Sequence, residues 1–135
     1  MKLTVRKRRV AMIAAGALVA GGMVSVPVGM AYAATQCDVT YTTNDWSTGF
    51  TANVTIRNIG DPLTSWNLGF TFPGNQRVTQ GWSANWTQSG ANVTATNMPW
   101  NGNLATGASV SIGFNGSYSG TNAKPTAFTI NGTTC

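Results

Sequence analysis

Residues 34–135 predict an all-β fold, a jelly-roll-like antiparallel β-sandwich of short strands. Three observations carry this. Apolar residues alternate with polar ones at period two, turn residues recur at intervals of about 8–15 positions, and no apolar repeat has helical spacing.

The alternation can be followed along the chain. Val39 and Tyr41 open it. Phe50, Ala52, Val54 and Ile56 then share one face, with Thr51, Asn53, Thr55 and Arg57 on the other. Trp66, Leu68, Phe70 and Phe72 repeat the pattern, followed by the shorter Val93 and Ala95. Val110, Ile112 and Phe114 form another run, and Phe128 with Ile130 closes the chain. Between the runs stand Asn58-Ile59-Gly60-Asp61-Pro62, Pro73-Gly74-Asn75, Ser89-Gly90, Asn101-Gly102 and Ser119-Gly120, where Gly and Asn can supply positive φ. One face of each strand is apolar, as a two-layer sandwich requires.

Residues 1–33 read as a signal peptide instead. Lys2, Arg6, Lys7, Arg8 and Arg9 precede an apolar, uncharged stretch over 10–30, and Ala31-Tyr32-Ala33 has the small-x-small form of a cleavage site. A membrane anchor is the competing reading, but glycines and Pro27 interrupt the stretch. The flanks of Arg8-Arg9 are poor for a twin-arginine signal. The expectation is a secreted, extracellular protein with no membrane attachment after cleavage, acting as a monomer.

The whole chain has eight basic and three acidic residues and a net charge of +5. Five of those bases lie in the leader, which leaves Arg57, Arg77 and Lys124 against Asp38, Asp45 and Asp61. The basic pI therefore belongs to the targeting segment. Nucleic acid is excluded as a partner, because phosphate binding needs several clustered cations.

Only two cysteines occur, Cys37 and Cys135. In an exported chain such a pair reads as a disulfide. Closing almost the whole domain would stabilise a modest core by about 4–5 kcal/mol on the chain-entropy model.

Five tryptophans divide by context. Trp66 is in phase with Leu68, Phe70 and Phe72 and is expected in the core. A regular strand would put Trp86 on the same face as Trp82, but nearby turn residues disturb the phase, and packing is favoured for Trp86. Trp46, Trp82 and Trp100 stand beside turns and small polar residues. They could cap the ends of the core, but three such indoles point to a presented aromatic surface. Indole faces stack on the apolar C–H faces of pyranose rings, each contact being worth about 1–3 kcal/mol by analogy with base stacking. Neutral Asn, Gln, Ser and Thr can bond the hydroxyls without desolvating a charge.

Cys37–Cys135 resembles the family 2 carbohydrate-binding modules, bacterial cellulose-binding domains appended to secreted cellulases and xylanases. The resemblance rests on Trp46-Ser47-Thr48-Gly49-Phe50-Thr51-Ala52-Asn53-Val54, Ser65-Trp66-Asn67-Leu68, Pro99-Trp100-Asn101-Gly102, Gly113-Phe114-Asn115-Gly116 and Asn131-Gly132-Thr133-Thr134-Cys135. It implies a sandwich closed by the disulfide, with Trp66 buried. It also implies a flat strip of Trp46, Trp82 and Trp100 stacking on the glucose rings of crystalline cellulose, with Asn44, Asn53 and Gln80 as polar neighbours. In that family the residue three places after the first tryptophan is typically Gly in cellulose binders and Arg in xylan binders. Gly49 occupies it here.

Catalysis is not expected. Glycoside hydrolysis needs two carboxyl groups flanking one bond, and the chain offers three Asp and no Glu. Without His, neither a Ser–His relay nor a His-bound metal is available. The three Asp lack the dense loop of a calcium site, and no cofactor is expected. The alternatives carried forward are an adhesive or structural surface protein and a chitin- or xylan-binding module. The sequence leaves open whether a catalytic domain is normally attached.

Overall fold

The computed structural model describes residues 36–135; the leader reading over 1–33 lies outside them. Nine strands follow in order: β1 (Cys37–Asp45), β2 (Gly49–Asn58), β3 (Asn67–Thr71), β4 (Arg77–Trp82), β5 (Ala84–Ser89), β6 (Asn92–Asn97), β7 (Ser109–Ser117), β8 (Phe128–Ile130) and β9 (Thr133–Thr134). They form two antiparallel sheets, β1-β2-β7-β4 and β5-β6-β3-β8-β9. The sandwich predicted from period-two alternation is the fold observed.

The alternation decides which side chains enter the core. Phe50, Ala52, Val54 and Ile56 of β2 are wholly buried, as are Leu68 of β3, Ala95 of β6 and Phe114 of β7. Phe114 is the hub between the layers. Its ring centroid lies 5.6 Å from Phe50, 6.0 Å from Phe72 and 6.3 Å from Phe70. The contacts with Phe50 and Phe72 are edge-to-face, as the ring quadrupole favours, and that with Phe70 is stacked. Tyr41 joins this cluster with its centroid 6.0 Å from Phe70. Burial, and secondarily the charge of Asp45, hold its hydroxyl proton well beyond the ordinary tyrosine range.

Each open side of the sandwich is closed. On one side β4 of the first sheet runs into β5 of the second through Ser83, whose φ is 62°. That single left-handed residue is the corner at which the chain changes sheets. On the other, the edge strand β1 is tied to the end of β9 by the Cys37–Cys135 disulfide, with a Cα–Cα distance of 4.8 Å. The loop closed spans 98 positions, so the entropic benefit is near the upper end for such crosslinks.

The turn glycines divide into two kinds. Gly90 and Gly120 adopt positive φ as expected from sequence, and so do Gly107 and Gly132. Gly102 does not. It is glycine for lack of room, since a Cβ there would meet Asn97 Nδ2 at 2.6 Å and the Thr64 carbonyl at 2.9 Å.

Candidate functional site

The outer face of the four-stranded sheet gathers every polar residue singled out from sequence. Register places Asn44, Thr51, Asn115 and Gln80 in one row across β1, β2, β7 and β4. The next row is Thr42, Asn53, Gly113 and Trp82, and a row on the other side holds Gly49, Ser117 and Arg77. Thr51 Oγ1 donates to Asn115 Oδ1 at 2.8 Å, which fixes the middle of this neutral surface.

A β-bulge decides that Trp82 belongs to it. Val78 pairs with Gly116 on the inner side, but Gln80 pairs with Asn115, leaving Thr79 as the extra residue. Were Thr79 paired in regular alternation instead of bulged, Gln80 and Trp82 would point into the core and Gly81 outward, because one step of register exchanges the two faces. Thr79 Oγ1 bonds the Asn115 carbonyl at 3.0 Å and anchors the bulge. Gly81 then has its Cβ direction turned inward, towards the Trp86 ring, though its backbone stays exposed: a Cβ there would meet Trp86 Cδ1 at 2.1 Å. Trp86 packs on Phe114 at 4.8 Å and donates from Nε1 to the Trp82 carbonyl at 3.3 Å. It is a half-buried packing residue beneath the Trp82 backbone, as favoured from sequence.

Two outward glycines act as seats for indoles. Gly113 is buried on an outer face because Trp82 lies over it; a Cβ would stand 2.4 Å from Trp82 Cζ2. Gly49 is buried in the same way under Trp46, with Nε1 2.7 Å from the position of a Cβ. The missing side chains let both rings lie low against the sheet. Trp46 is held further by its N–H to the Gly49 carbonyl at 2.8 Å, and its own carbonyl accepts from Tyr118 Oη at 2.8 Å.

Trp100 is fixed differently, by a turn rather than a strand. Asn101 Oδ1 accepts from Met98 N at 2.7 Å and Asn101 Nδ2 donates to the Ser83 carbonyl at 2.7 Å. The Asn101 carbonyl accepts from Trp66 Nε1 at 2.8 Å, while Asn97 Oδ1 accepts from Trp66 N at 2.8 Å. The buried Trp66, 1% exposed, thus anchors the turn that presents Trp100, 70% exposed. Trp46 and Trp82 are 50% and 39% exposed.

Trp46 and Trp82 fall in order along the face, and the turn that bears Trp100 is tied to the corner just after Trp82. From the Gly49 row to the Asn53–Gly113 row is four residues, about 13 Å along the strands. β4 runs away from the Trp46 end, and Ser83, to which the Trp100 turn is tied, lies beyond Trp82. Asn101, Tyr118, Thr79, Gly113 and Gly81 were not singled out for these roles from sequence. Only Gly113 and Asn101 had appeared there, within motifs.

The acidic residues do not form a site. Asp38 and Asp45 lie at opposite ends of β1, about 23 Å apart at the strand rise. Among the described residues no group of three acidic, cysteine or histidine side chains converges.

Residues 37–135 match a family model described as "Cellulose binding domain". The chain is 58% identical over 100 residues to Exoglucanase A of Cellulomonas fimi, covering 73% of this chain and 12% of that protein. It is 50% identical over 131 residues to Endoglucanase CelA of Streptomyces lividans, covering 96% of this chain and 28% of that protein. The chain thus spans well under a third of either relative. Among solved structures, the chitin-binding domain of Chi18aC from Streptomyces coelicolor is 44% identical with a TM-score of 0.60, covering 73% of this chain and 93% of that one.

Proposed function

Residues 37–135 belong to the cellulose binding domain family, and from that premise we propose that this module adsorbs to crystalline cellulose through Trp46, Trp82 and Trp100. It is a non-catalytic module that binds polysaccharide. The observation that carries the finer reading is the seating of Trp46 and Trp82 on Gly49 and Gly113, which keeps the rings low on a neutral sheet. Flat ring faces suit the flat surface of a packed glucan better than a twisted single chain. Asn44, Asn53 and Gln80 lie in the rows beside the rings and would bond the hydroxyls at the edges. The leader over residues 1–33 would direct the module out of the cell, where it would hold itself, or an attached enzyme, against plant cell-wall polysaccharide.

Chitin is the second reading, favoured by the likeness to the Chi18aC domain. Its chains present the same ring faces and add an N-acetyl group. The higher identities to glucanases favour cellulose.

The experiment is adsorption of the mature domain to microcrystalline cellulose, chitin and insoluble xylan, with Trp46→Ala, Trp82→Ala and Trp100→Ala beside it. Cellulose should retain the most protein, and each variant should bind it more weakly while melting near the wild-type temperature. A domain that binds chitin and not cellulose replaces the first reading with the second. A domain that binds none of the three overturns the tryptophan face as a carbohydrate site.

A further inference from the structure

Charge is scarce in this domain, and its distribution is uneven. Asp38 and Arg57 are direct cross-strand partners on the outer face and offset one another. Asp61 lies in the loop just beyond Arg57, at the same end. Arg77 and Lys124 belong to the other end, where Trp46 stands. Arg77 pairs with Ser117, which pairs with Gly49. Its backbone is therefore two strand spacings, about 10 Å, from the glycine on which the Trp46 ring rests. Lys124 follows Ala123, whose carbonyl accepts from Gln76 Nε2 at 2.7 Å, so the loop bearing it is fixed beside Arg77. Asp45 is the one acid at this end among the described residues, and its Oδ1 is already engaged by Asn122 Nδ2 at 3.0 Å.

Arg77 is exposed and makes no ion pair or side-chain hydrogen bond among the described residues. A guanidinium presents five donors in a planar fork that matches a carboxylate. Placed at one end of a strip of indoles that is otherwise neutral, it meets whatever the polysaccharide carries there.

We propose that the Trp46 end of this face recognises carboxylate groups on the polysaccharide, with Arg77 as the contacting residue and Lys124 adding to the local field. The ligand class is a β-linked chain bearing carboxylates, either as uronic acid substituents or as oxidised positions on cellulose itself. The inference rests on the carbohydrate reading of the tryptophan face. It concerns which chains that face prefers, not whether it binds them. A neutral sheet surface with one free cation beside an aromatic platform gains little on unmodified glucan, and gains a salt-dependent increment wherever a carboxylate falls within reach.

The test compares adsorption of the wild-type domain, Arg77→Gln and Lys124→Gln to four solids: microcrystalline cellulose, cellulose oxidised to carboxylate at C6, insoluble glucuronoxylan, and the same xylan stripped of its uronic acid. At low salt the wild type should bind a carboxylated form about two- to five-fold more tightly than its neutral counterpart, the size of one exposed charge pair. The preference should vanish at about 1 M salt, where screening acts within a few ångströms. It should also vanish in Arg77→Gln and shrink in Lys124→Gln. Preference for oxidised cellulose alone identifies the oxidised surface as the source, and preference for glucuronoxylan alone identifies the uronic acid. Equal binding of charged and neutral forms by the wild type, or a preference that Arg77→Gln retains, overturns the proposal. Failure of the wild type on neutral cellulose with the carboxylate preference intact would overturn the cellulose reading and leave this one standing.

Discussion

Asn101 touches no ligand in the proposed mode of binding, yet its removal should weaken adsorption nearly as much as removal of a stacking ring. Its side chain makes two hydrogen bonds of 2.7 Å, one inside the Trp100 turn and one across to the Ser83 carbonyl at the sheet corner. In Asn101→Ala both are lost, while the backbone carbonyl that accepts from Trp66 Nε1 remains. At about 0.5–1.5 kcal/mol for each bond, stability should fall by roughly 1–3 kcal/mol. The effect on binding has a different origin. Trp100 is no longer tied to the corner that follows Trp82, so the third ring must be ordered at the moment of adsorption. The loss is bounded by the worth of one stacked ring, about 1–3 kcal/mol, or roughly 5- to 150-fold in affinity. Adsorption isotherms on microcrystalline cellulose, taken well below the melting temperature, measure it. Asn101→Asp isolates the link, because it keeps an acceptor for Met98 N and sets a carboxylate against the Ser83 carbonyl. The double variant Asn101→Ala/Trp100→Ala should bind no more weakly than Trp100→Ala, since the two changes remove the same contact. Wild-type isotherms for Asn101→Ala, or additive losses in the double variant, would refute the coupling.

Four other outcomes follow from the same geometry. Gly113→Ala and Gly49→Ala should each lift an indole from its seat, weakening adsorption to crystalline cellulose more than to soluble oligosaccharide; the ratio of the two affinities is the measurement. Deletion of Thr79 should close the bulge and bring Val78–Gly116 and Gln80–Asn115 into one regular ladder with Trp82 still outward over Gly113, so adsorption to cellulose should be kept; loss of binding would refute the assignment of Thr79 as the extra residue. Trp66→Ala should cost about 3–5 kcal/mol in a denaturant titration, because it empties a wholly buried site and releases the Trp100 turn. Tyr41 makes stability fall at high pH. Its hydroxyl is neutral in both states below the ordinary value of 10.0, whereas above it only the unfolded chain ionises. Melting temperature should therefore hold below about pH 10 and drop beyond it, with a shallower drop in Tyr41→Phe.

The strands were legible in the sequence wherever alternation was uninterrupted. Phe50 to Ile56, Trp66 to Phe72 and Val110 to Phe114 signal their inner faces through side-chain chemistry alone. The stretch from Arg77 to Ser89 resisted the same reading because two local events, the bulge at Thr79 and the left-handed Ser83, each reset the phase. Neither has a compositional signature: a threonine can sit in any strand, and serine is an uncommon host for positive φ. The tryptophans announced themselves by their polar neighbours, but their supports did not. Gly113 has no signature beyond that of a strand glycine, and Gly49 stood out only through the family resemblance. Asn101 reads as part of an Asn-Gly turn until its amide is traced to Ser83.

The bulge and the corner together explain how two tryptophans only four residues apart come to do opposite things. With Thr79 bulged out of the ladder, Trp82 faces outward over Gly113, and Gly81 faces inward. With Ser83 turning the chain into the second sheet, Trp86 returns from across the sandwich and lands on Gly81 and Phe114. Its Nε1 then bonds the Trp82 carbonyl from below. The exposed ring thus has a packed ring beneath its own backbone and a glycine beneath its face, which leaves it little freedom to lose when a sugar ring stacks on it. Ordering a large side chain on binding costs about 0.5–1.5 kcal/mol, comparable with what one stacking contact returns. A face built from freely rotating indoles would spend much of its binding energy holding them still, whereas here the fold has already done so for Trp46 and Trp82. Trp100, the most exposed of the three, depends for the same service on Asn101.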